Sequence, residues 1–244
     1  MVARLPSAAA YAGQVEKEQH WLPIFAPKLP VPVPLPLALG QPSDDYPWKW
    51  SIYRWLDGDT ATADSKAFAA DIAHFLNALQ RIDAAGGPAP GPHNFHRGGA
   101  LSTYAGQTTD AIRILGSRIN GQRAGELWQA AMRTTWQRAP VWIHGDLSVG
   151  NLLSRNGRLT GAIDFGNIGV GDPACDLAIA WASLSADSRK AFRAALSYDR
   201  ETWLRGKAWT LWKALIVAAG MTKTNAIGWS NPLRIVGRVL DDER

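Results

Sequence analysis

The dipeptide Asn156-Gly157 places the strongest constraint on how this chain folds. It stands between two short runs rich in apolar residues, 151–155 and 158–165. An Asn-Gly pair between such runs is the strongest short-range signal for a β-hairpin. The sequence therefore predicts two antiparallel strands, and antiparallel pairing brings the residues at their open end together.

Three polar residues are expected to meet at the open end of this hairpin. Asn151 begins one strand, Asp164 follows the other, and Asp146 lies on the segment that leads into the hairpin. Two carboxylates and a carboxamide suit Mg²⁺, a hard cation that takes oxygen ligands. Such an ion neutralises charge on a transferring phosphoryl group, while a separate carboxylate orients the attacking hydroxyl and accepts its proton.

Each of these residues taken singly has a simpler interpretation, because an isolated Asp or Asn in a loop usually serves turn geometry. The joint pattern argues against that interpretation: His-x-Asp, an Asn five residues later, an Asn-Gly hairpin, and then Asp-Phe-Gly. A metal-dependent hydrolase using the same carboxylates is a second alternative. It is disfavoured because the sequence offers no ligand set for two metal ions.

The segments 144–147 (His-Gly-Asp-Leu) and 164–166 (Asp-Phe-Gly) follow the protein-kinase pattern. The form His-Gly-Asp-Leu, together with the segment 171–178 (Gly-Asp-Pro-Ala-Cys-Asp-Leu-Ala), resembles the aminoglycoside phosphotransferase family of kinase-like enzymes, most closely over residues 141–181. The resemblance implies an α+β, protein-kinase-like fold of two lobes, with an incomplete N-lobe sheet and a mainly helical C-lobe.

The resemblance also implies a role for each polar residue of this region. Asp146 would be the catalytic base, and Asn151 and Asp164 would hold Mg²⁺. Asp176 would brace the catalytic loop by hydrogen bonds, and His144 would pack beneath that loop. The implied reaction is phosphoryl transfer from ATP or GTP to a hydroxyl of a small molecule.

Further upstream, the resemblance assigns an N-lobe and a hinge. Glu18 matches a helix glutamate that pairs with a strand cation, and the cation here would be Arg4. Backbone groups of the hinge would meet the adenine at Tyr53, Arg54, Trp55 and Leu56. The implied domains are a partial N-lobe with the hinge, residues 1–56, and a C-lobe of residues 57–244 with the catalytic loop, the metal-binding hairpin and acceptor-side helices.

The family's first two strands and its phosphate-covering loop would precede Arg4, but only three residues stand before it. We therefore expect an N-terminally truncated chain with weakened nucleotide binding. The alternative to an active enzyme is a catalytically impaired, kinase-like remnant that binds nucleotide without the phosphate-covering loop.

The charge and composition of the chain limit the kinds of partner that we expect it to bind. The net charge is +5, but Lys and Arg are scattered rather than clustered, which disfavours a nucleic-acid partner. Cys175 is the single cysteine, so no internal disulfide forms. Neither a signal peptide nor an apolar run of membrane-spanning length is visible, so we expect no membrane partner and a cytoplasmic location. The oligomeric state is left open.

The acceptor is constrained only by charge and by tryptophans. Residues 176–244 carry 11 Lys and Arg against 7 Asp and Glu, which disfavours a strongly cationic substrate. Trp203, Trp209 and Trp212 are expected either to pack in the core or to line an apolar pocket. The acceptor could be an aminoglycoside, a macrolide, a sugar or an amino alcohol. Phosphorylation of either of the first two would give antibiotic resistance.

Overall fold

The computed structural model describes residues 1–61, 64–222 and 227–242. Its helices are α1 (Ala9–Phe25), α2 (Lys66–Gln80), α3 (Ala105–Leu115), α4 (Gly121–Met132), α5 (Ile179–Ala182), α6 (Ala186–Ala194), α7 (Arg200–Ala218) and α8 (Pro232–Asp241). Its strands are β1 (Val2–Arg4), β2 (Pro36–Gly40), β3 (Trp50–Tyr53), β4 (Asp59–Thr60), β5 (Val141–Ile143), β6 (Leu152–Arg155), β7 (Arg158–Ala162) and β8 (Gly169–Gly171).

The first sheet has the strand order β1-β3-β2, with both pairs antiparallel and α1 packed against it. The aromatic and β-branched run 48–56 predicts a strand, and the central strand β3 lies within it. In the proline-rich stretch 27–47, the run 31–36 is predicted to be an extended connector, but its last residue begins the edge strand β2. Pro36 is tolerated because it begins an edge strand, where its missing N–H costs little of the ladder.

The predicted hairpin is present as β6 and β7, which pair antiparallel with each other. Strand β4 pairs antiparallel with the other edge of β6. Asn156 and Gly157 form its turn with φ angles of 53° and 73°, the left-handed geometry that a two-residue hairpin turn requires. Strand β5 pairs with β8, a three-residue strand that the sequence analysis did not identify. The hairpin and the β5–β8 pair hold the two ends of the predicted catalytic loop.

Helix α2 buries one apolar face, which includes Phe68, Ile72 and Phe75. Its N-cap is Ser65, whose hydroxyl accepts a hydrogen bond from the Phe68 amide at 3.0 Å. The apolar period of residues 64–82 predicts this helix with Asp64 as its cap, and that cap is wrong by one residue. The Asp64 carboxylate instead accepts from the Ser185 amide at 3.0 and 3.1 Å and so holds the start of α6.

Helix α7 is buried on nearly all sides and packs against α3, α4, α8 and the 3₁₀ turn Pro173–Ala178. The buried ion pair between Arg205 of α7 and Asp172, with Nε and Oδ2 2.6 Å apart, fixes that turn. Helices thus dominate the chain downstream of β4, as expected for a C-lobe. The helices in the described ranges include none that is long and apolar enough to cross a membrane. The domain boundary at residues 56 and 57 stays a prediction.

Candidate active site

The loop between β5 and β6 carries Asp146, and its shape depends on Gly145. The φ angle of Gly145 is +80°, and a Cβ there would overlap the carbonyl oxygen of Asn167. Only glycine meets both conditions, because side chains rarely adopt this backbone conformation. The His-Gly-Asp spacing is therefore a backbone requirement of the loop.

Asp176 braces this loop from below. Its fully buried carboxylate accepts hydrogen bonds from the backbone amides of His144 and Gly145, both at 2.8 Å. Burial raises the pKa of the Asp176 carboxyl, while His144 and the two donated hydrogen bonds oppose that shift. The bracing role implied for Asp176 thus has direct geometric support.

His144 is fully buried and both of its ring nitrogens are engaged. Its Nε2 lies 3.0 Å from the Ile163 carbonyl oxygen, and its Nδ1 accepts from the Asp146 amide at 3.4 Å. The ring packs against Phe165 with a centroid separation of 4.7 Å. His144 therefore links the catalytic loop to the end of the hairpin, as expected of a residue packed beneath the loop.

Hydrogen bonds at the open end of the hairpin connect Asn151 with Asp146 and with the residue that precedes Asp164. The side-chain nitrogen of Asn151 donates to the Asp146 carbonyl oxygen at 2.9 Å and approaches its Oδ2 at 3.4 Å. The backbone oxygen of Asn151 accepts from the Ile163 amide at 2.9 Å, directly before Asp164. Asp164 itself has φ 64° and ψ 64°, a left-handed conformation that is uncommon for residues other than glycine and clusters at functional sites.

On the other side of the site, Arg4 joins β1, α1 and the hairpin. Its guanidinium donates to Glu18 at 2.6 Å and to the Asp164 carboxylate. Glu18 is buried and also accepts from the Tyr53 hydroxyl at 2.6 Å. Burial raises the pKa of Glu18, and the charge of Arg4 opposes this shift. The expected pairing of Glu18 with Arg4 is thus present.

A cleft of about 680 Å³ lies between these two sides. Five of the predicted site residues line it: Arg4, Glu18, Tyr53, Asp146 and Asp164.

The remaining hinge residues lie elsewhere. Trp55 is 60% exposed, and the Arg54 amide donates to the Leu35 carbonyl oxygen at 2.9 Å. Neither residue, nor Leu56, is among those that line the cleft. Their contacts with adenine stay predictions.

The cleft also contains residues that the sequence analysis missed, on the loop before α3, on α3 and on α7. They are Arg97, Tyr104, Gln107 and Lys213. Trp212, named from sequence as either core or lining, reaches the cleft and stacks on Tyr104 at 3.9 Å between ring centroids. Trp203 packs instead in the core against Trp181. The helical spacing of tryptophans was the only local signal, and no spacing marks Arg97 or Lys213.

The residues at the hairpin mouth fit a hard cation. The Asn151 amide nitrogen is taken by the Asp146 carbonyl, which leaves the amide oxygen available as a ligand. The Asp164 side chain is 40% exposed, so one carboxylate oxygen is accessible beside the contact with Arg4. Within the described ranges, no group of three or more His, Cys, Asp and Glu residues converges as a metal site. Mg²⁺ often takes only one or two protein ligands and fills its shell with phosphate and water.

The family model described as APH, phosphotransferase enzyme family, matches residues 1–209 of the chain. The chain belongs to this phosphotransferase family. The matched range contains Arg4, the catalytic loop and the hairpin, and it ends within α7, before Trp212 and Lys213.

Curated members of the phosphotransferase family are similar to part of this chain. An aminoglycoside 3'-phosphotransferase of Escherichia coli is 32% identical over 111 residues, which are 45% of this chain and 41% of that protein. A protein of the same name from Salmonella typhimurium matches with the same identity and coverage. The similarity thus spans less than half the length of these relatives.

Solved structures of phosphotransferases share the fold over nearly the whole chain. The GDP and kanamycin complex of APH(2")-IIia superposes with a TM-score of 0.71 at 19% identity, over 99% of this chain and 87% of that one. The macrolide 2'-phosphotransferase MphH from Brachybacterium faecium gives a TM-score of 0.58 at 18% identity, over 99% and 84%. The kinase-like fold predicted from sequence is confirmed.

Proposed function

We propose that this protein transfers the γ-phosphoryl group of ATP or GTP to a hydroxyl of a small molecule. The observation that carries the proposal is the placement of Asp146 and Asp164 on the wall of one cleft, with Asn151, which does not itself line the cleft, hydrogen-bonded to Asp146. Similar proteins are named aminoglycoside and macrolide phosphotransferases, and one neighbouring structure holds GDP and kanamycin. These names support the reaction class and leave the acceptor open.

Asp146 is the proposed base. The Asn151 amide approaches Oδ2 of Asp146, which leaves Oδ1 for the acceptor hydroxyl. The acceptor hydroxyl gives its proton to Asp146 while the hydroxyl oxygen forms a bond to the γ-phosphorus. The bond from that phosphorus to the bridging oxygen breaks, and the nucleoside diphosphate leaves.

Asn151 Oδ1 and Asp164 are the residues proposed to hold Mg²⁺. Bound there, the ion would neutralise charge on the transferring phosphoryl group. Arg4 now contacts the Asp164 carboxylate, so this chain would bind the ion with that contact loosened or shared.

The decisive experiment is Asp146→Asn in an ATP-consumption assay against aminoglycosides, macrolides, sugars and amino alcohols. Loss of the base lowers kcat by about 10² to 10⁴, with an unchanged thermal unfolding midpoint. Asp110→Asn, at an exposed carboxylate of α3, is the matched control and keeps full activity. Equal rates in Asp146→Asn and the parent protein would remove Asp146 from the mechanism.

A second candidate is nucleotide binding without turnover, and the contact between Arg4 and Asp164 favours it. If that ion pair persists when nucleotide binds, it occupies the carboxylate that the metal needs. Calorimetry with ADP and Mg²⁺ separates the candidates when run beside the turnover assay. Nucleotide binding without turnover of any acceptor selects the second candidate. Tighter Mg²⁺-dependent binding of ADP in Arg4→Ala would then show that the ion pair withholds Asp164 from the metal.

For the cellular setting we propose a cytoplasmic enzyme, with antibiotic modification as one role. Expression in a susceptible bacterium tests this role. A raised inhibitory concentration for kanamycin or a macrolide, lost in Asp146→Asn, would support it. Unchanged susceptibility to both drug classes would direct the search to sugars and amino alcohols.

A further inference from the structure

The charges that line the cleft fall into two groups. Arg4, Glu18 and Asp164 form one connected group, in which a single cation contacts two carboxylates. The second group consists of Asp146, Arg97 and Lys213. This second group contains two cations and one carboxylate, and its carboxylate is the proposed base.

Lys213 has no hydrogen-bond or ion-pair partner among the residues that the structure describes. It lies on α7 between buried residues and is itself only half-buried, at the wall of the cleft. Burial lowers the pKa of the Lys213 ammonium, the charge of Arg97 lowers it further, and Asp146 raises it. Lys213 directly follows Trp212, against which the Arg97 guanidinium packs, so both cations lie on the same wall of the cleft.

Arg97 is held in place as a second cation. Its Nε donates to the Gly145 carbonyl oxygen of the catalytic loop at 3.0 Å. Its guanidinium carbon stands 5.2 Å from the ring centroid of Trp209 and 4.9 Å from that of Trp212. Its Nη1 is buried and has no hydrogen-bond partner in the described part of the chain. The guanidinium is therefore rigid, and its charge is not neutralised by a carboxylate.

Beside these cations lies an aromatic wall with a further donor. Trp212 stacks on Tyr104, and its Nε1 donates to Oε1 of Gln107 at 3.0 Å. That bond orients the Gln107 amide and leaves its NH₂ group free to donate. Aromatic faces, two cations and an amide donor on one wall suit a ring or chain that bears an anionic group.

We propose that Arg97 and Lys213 form an anion-binding subsite beside Asp146, and that the hydroxyl acceptor carries a carboxylate or a phosphate. The inference rests on the proposed function. A polycationic acceptor would meet two like charges here in a partly desolvated site, where repulsion is strong. An anionic acceptor would instead gain charge-assisted hydrogen bonds next to the base.

Calorimetry with inorganic phosphate tests the subsite without turnover. The protein is first saturated with Mg²⁺ and a non-hydrolysable ATP analogue, so that the positions of all three nucleotide phosphates are filled. Phosphate still binds, and Lys213→Met weakens it by about tenfold, the loss of one charged hydrogen bond. Lys190→Met, at an exposed lysine of α6, leaves it unchanged. Absence of phosphate binding, or its complete displacement by the analogue, overturns the acceptor subsite; displacement would assign the cations to the nucleotide.

Acceptor kinetics supply a second test with matched sugars. Gluconate and glucose 6-phosphate have a kcat/KM at least about tenfold above that of glucosamine, and Lys213→Glu reverses the order. Glucosamine preferred by the parent protein, or an order unchanged in Lys213→Glu, contradicts the subsite. Phosphate binding by calorimetry with no transfer to any acceptor keeps the subsite and refutes the proposed function, so the two failures are distinguishable.

Discussion

Lys17 of α1 is a half-buried cation that has no carboxylate partner among the residues that the structure describes. Its ammonium lies 3.0 Å from Nδ1 of His93 and contacts the carbonyl oxygens of His93 and Ile168 at 3.4 and 3.3 Å. Burial lowers the pKa of Lys17 to about 8, although Glu18 opposes the shift. The charged form is therefore less stable in the folded protein than in the unfolded chain.

This shift makes stability depend on pH in a definite direction. Between about pH 8 and the unfolded value of 10.5, the unfolded chain binds more protons at Lys17. The free energy of unfolding therefore rises with pH in that window, by at most about 3 kcal/mol. Urea unfolding of the parent protein and Lys17→Met measures the difference, in which tyrosine titration cancels. Parallel curves from pH 7 to 11 would contradict the prediction.

At the residue scale, the sequence predicted the contacts that depend on local spacing. Asp146, Asn151 and Asp164 converge because a hairpin of known register joins two of them. Arg97 and Lys213 escaped prediction because they are more than a hundred residues apart and meet only through the packing of α7. The pairing of Arg4 with Glu18 was reached through the family resemblance alone, since no periodicity connects a strand with a helix.

At the element scale, one glycine in the hairpin turn and one glycine in α4 form a matched pair for substitution. Gly157 has φ +73°, and an added Cβ would make only an ordinary contact with the Ser65 hydroxyl at 3.8 Å, so Gly157→Ala costs backbone strain, about 1–2 kcal/mol. Gly125, inside α4, has open space around an added Cβ and helical φ, so Gly125→Ala stabilises by about 1 kcal/mol. Denaturant unfolding measures both. Effects of the same sign would show that conformation at position 157 does not control the hairpin.

Two arginine–aspartate pairs of different burial give a second comparison. Arg205→Met leaves Asp172 buried without its partner and costs about 3–5 kcal/mol. Arg158→Met breaks a pair with Asp71 in which the arginine side chain is 64% exposed, and costs far less because water screens an exposed ion pair. Thermal unfolding of both variants measures the two losses of stability. Comparable losses would mean that the buried pair does not hold α7 to the turn before α5.

Elements were predictable where a signal was local. The Asn-Gly turn located β6 and β7, and the apolar period located α2. The cap of α2 is Ser65 and not the predicted Asp64, because the Asp64 carboxylate accepts a hydrogen bond from the distant Ser185 amide. Strands β2 and β8 were missed because one begins with a proline and the other is Gly-Val-Gly, and only their partners give them a ladder.

At the scale of the whole molecule, the cleft draws its walls from both ends of the chain. Arg4, Glu18 and Tyr53 come from the first sheet and α1, while Asp146, Asp164 and Lys213 come from the loop, the hairpin and α7. The kinase-like fold was predicted from motifs that cover a small part of the sequence. The predicted domain boundary at residue 56 rests on the same resemblance. Ligand-binding experiments can test whether both predicted domains contact the nucleotide.

A nucleotide that occupies the cleft contacts both walls, so its stabilisation should extend through both predicted domains. With Mg²⁺ and a non-hydrolysable ATP analogue at 100 times the dissociation constant, the free energy of unfolding rises by about 2.7 kcal/mol. Hydrogen exchange should then show protection at β1 and β3 as well as at β6 and α7, because both walls line the cleft and Arg4 connects β1 with Glu18 of α1 and with Asp164 beside the hairpin. In Arg4→Ala, the protection of β1 is lost while that of β6 remains. Protection confined to residues after 56 in the parent protein would mean that the first sheet takes no part in nucleotide binding.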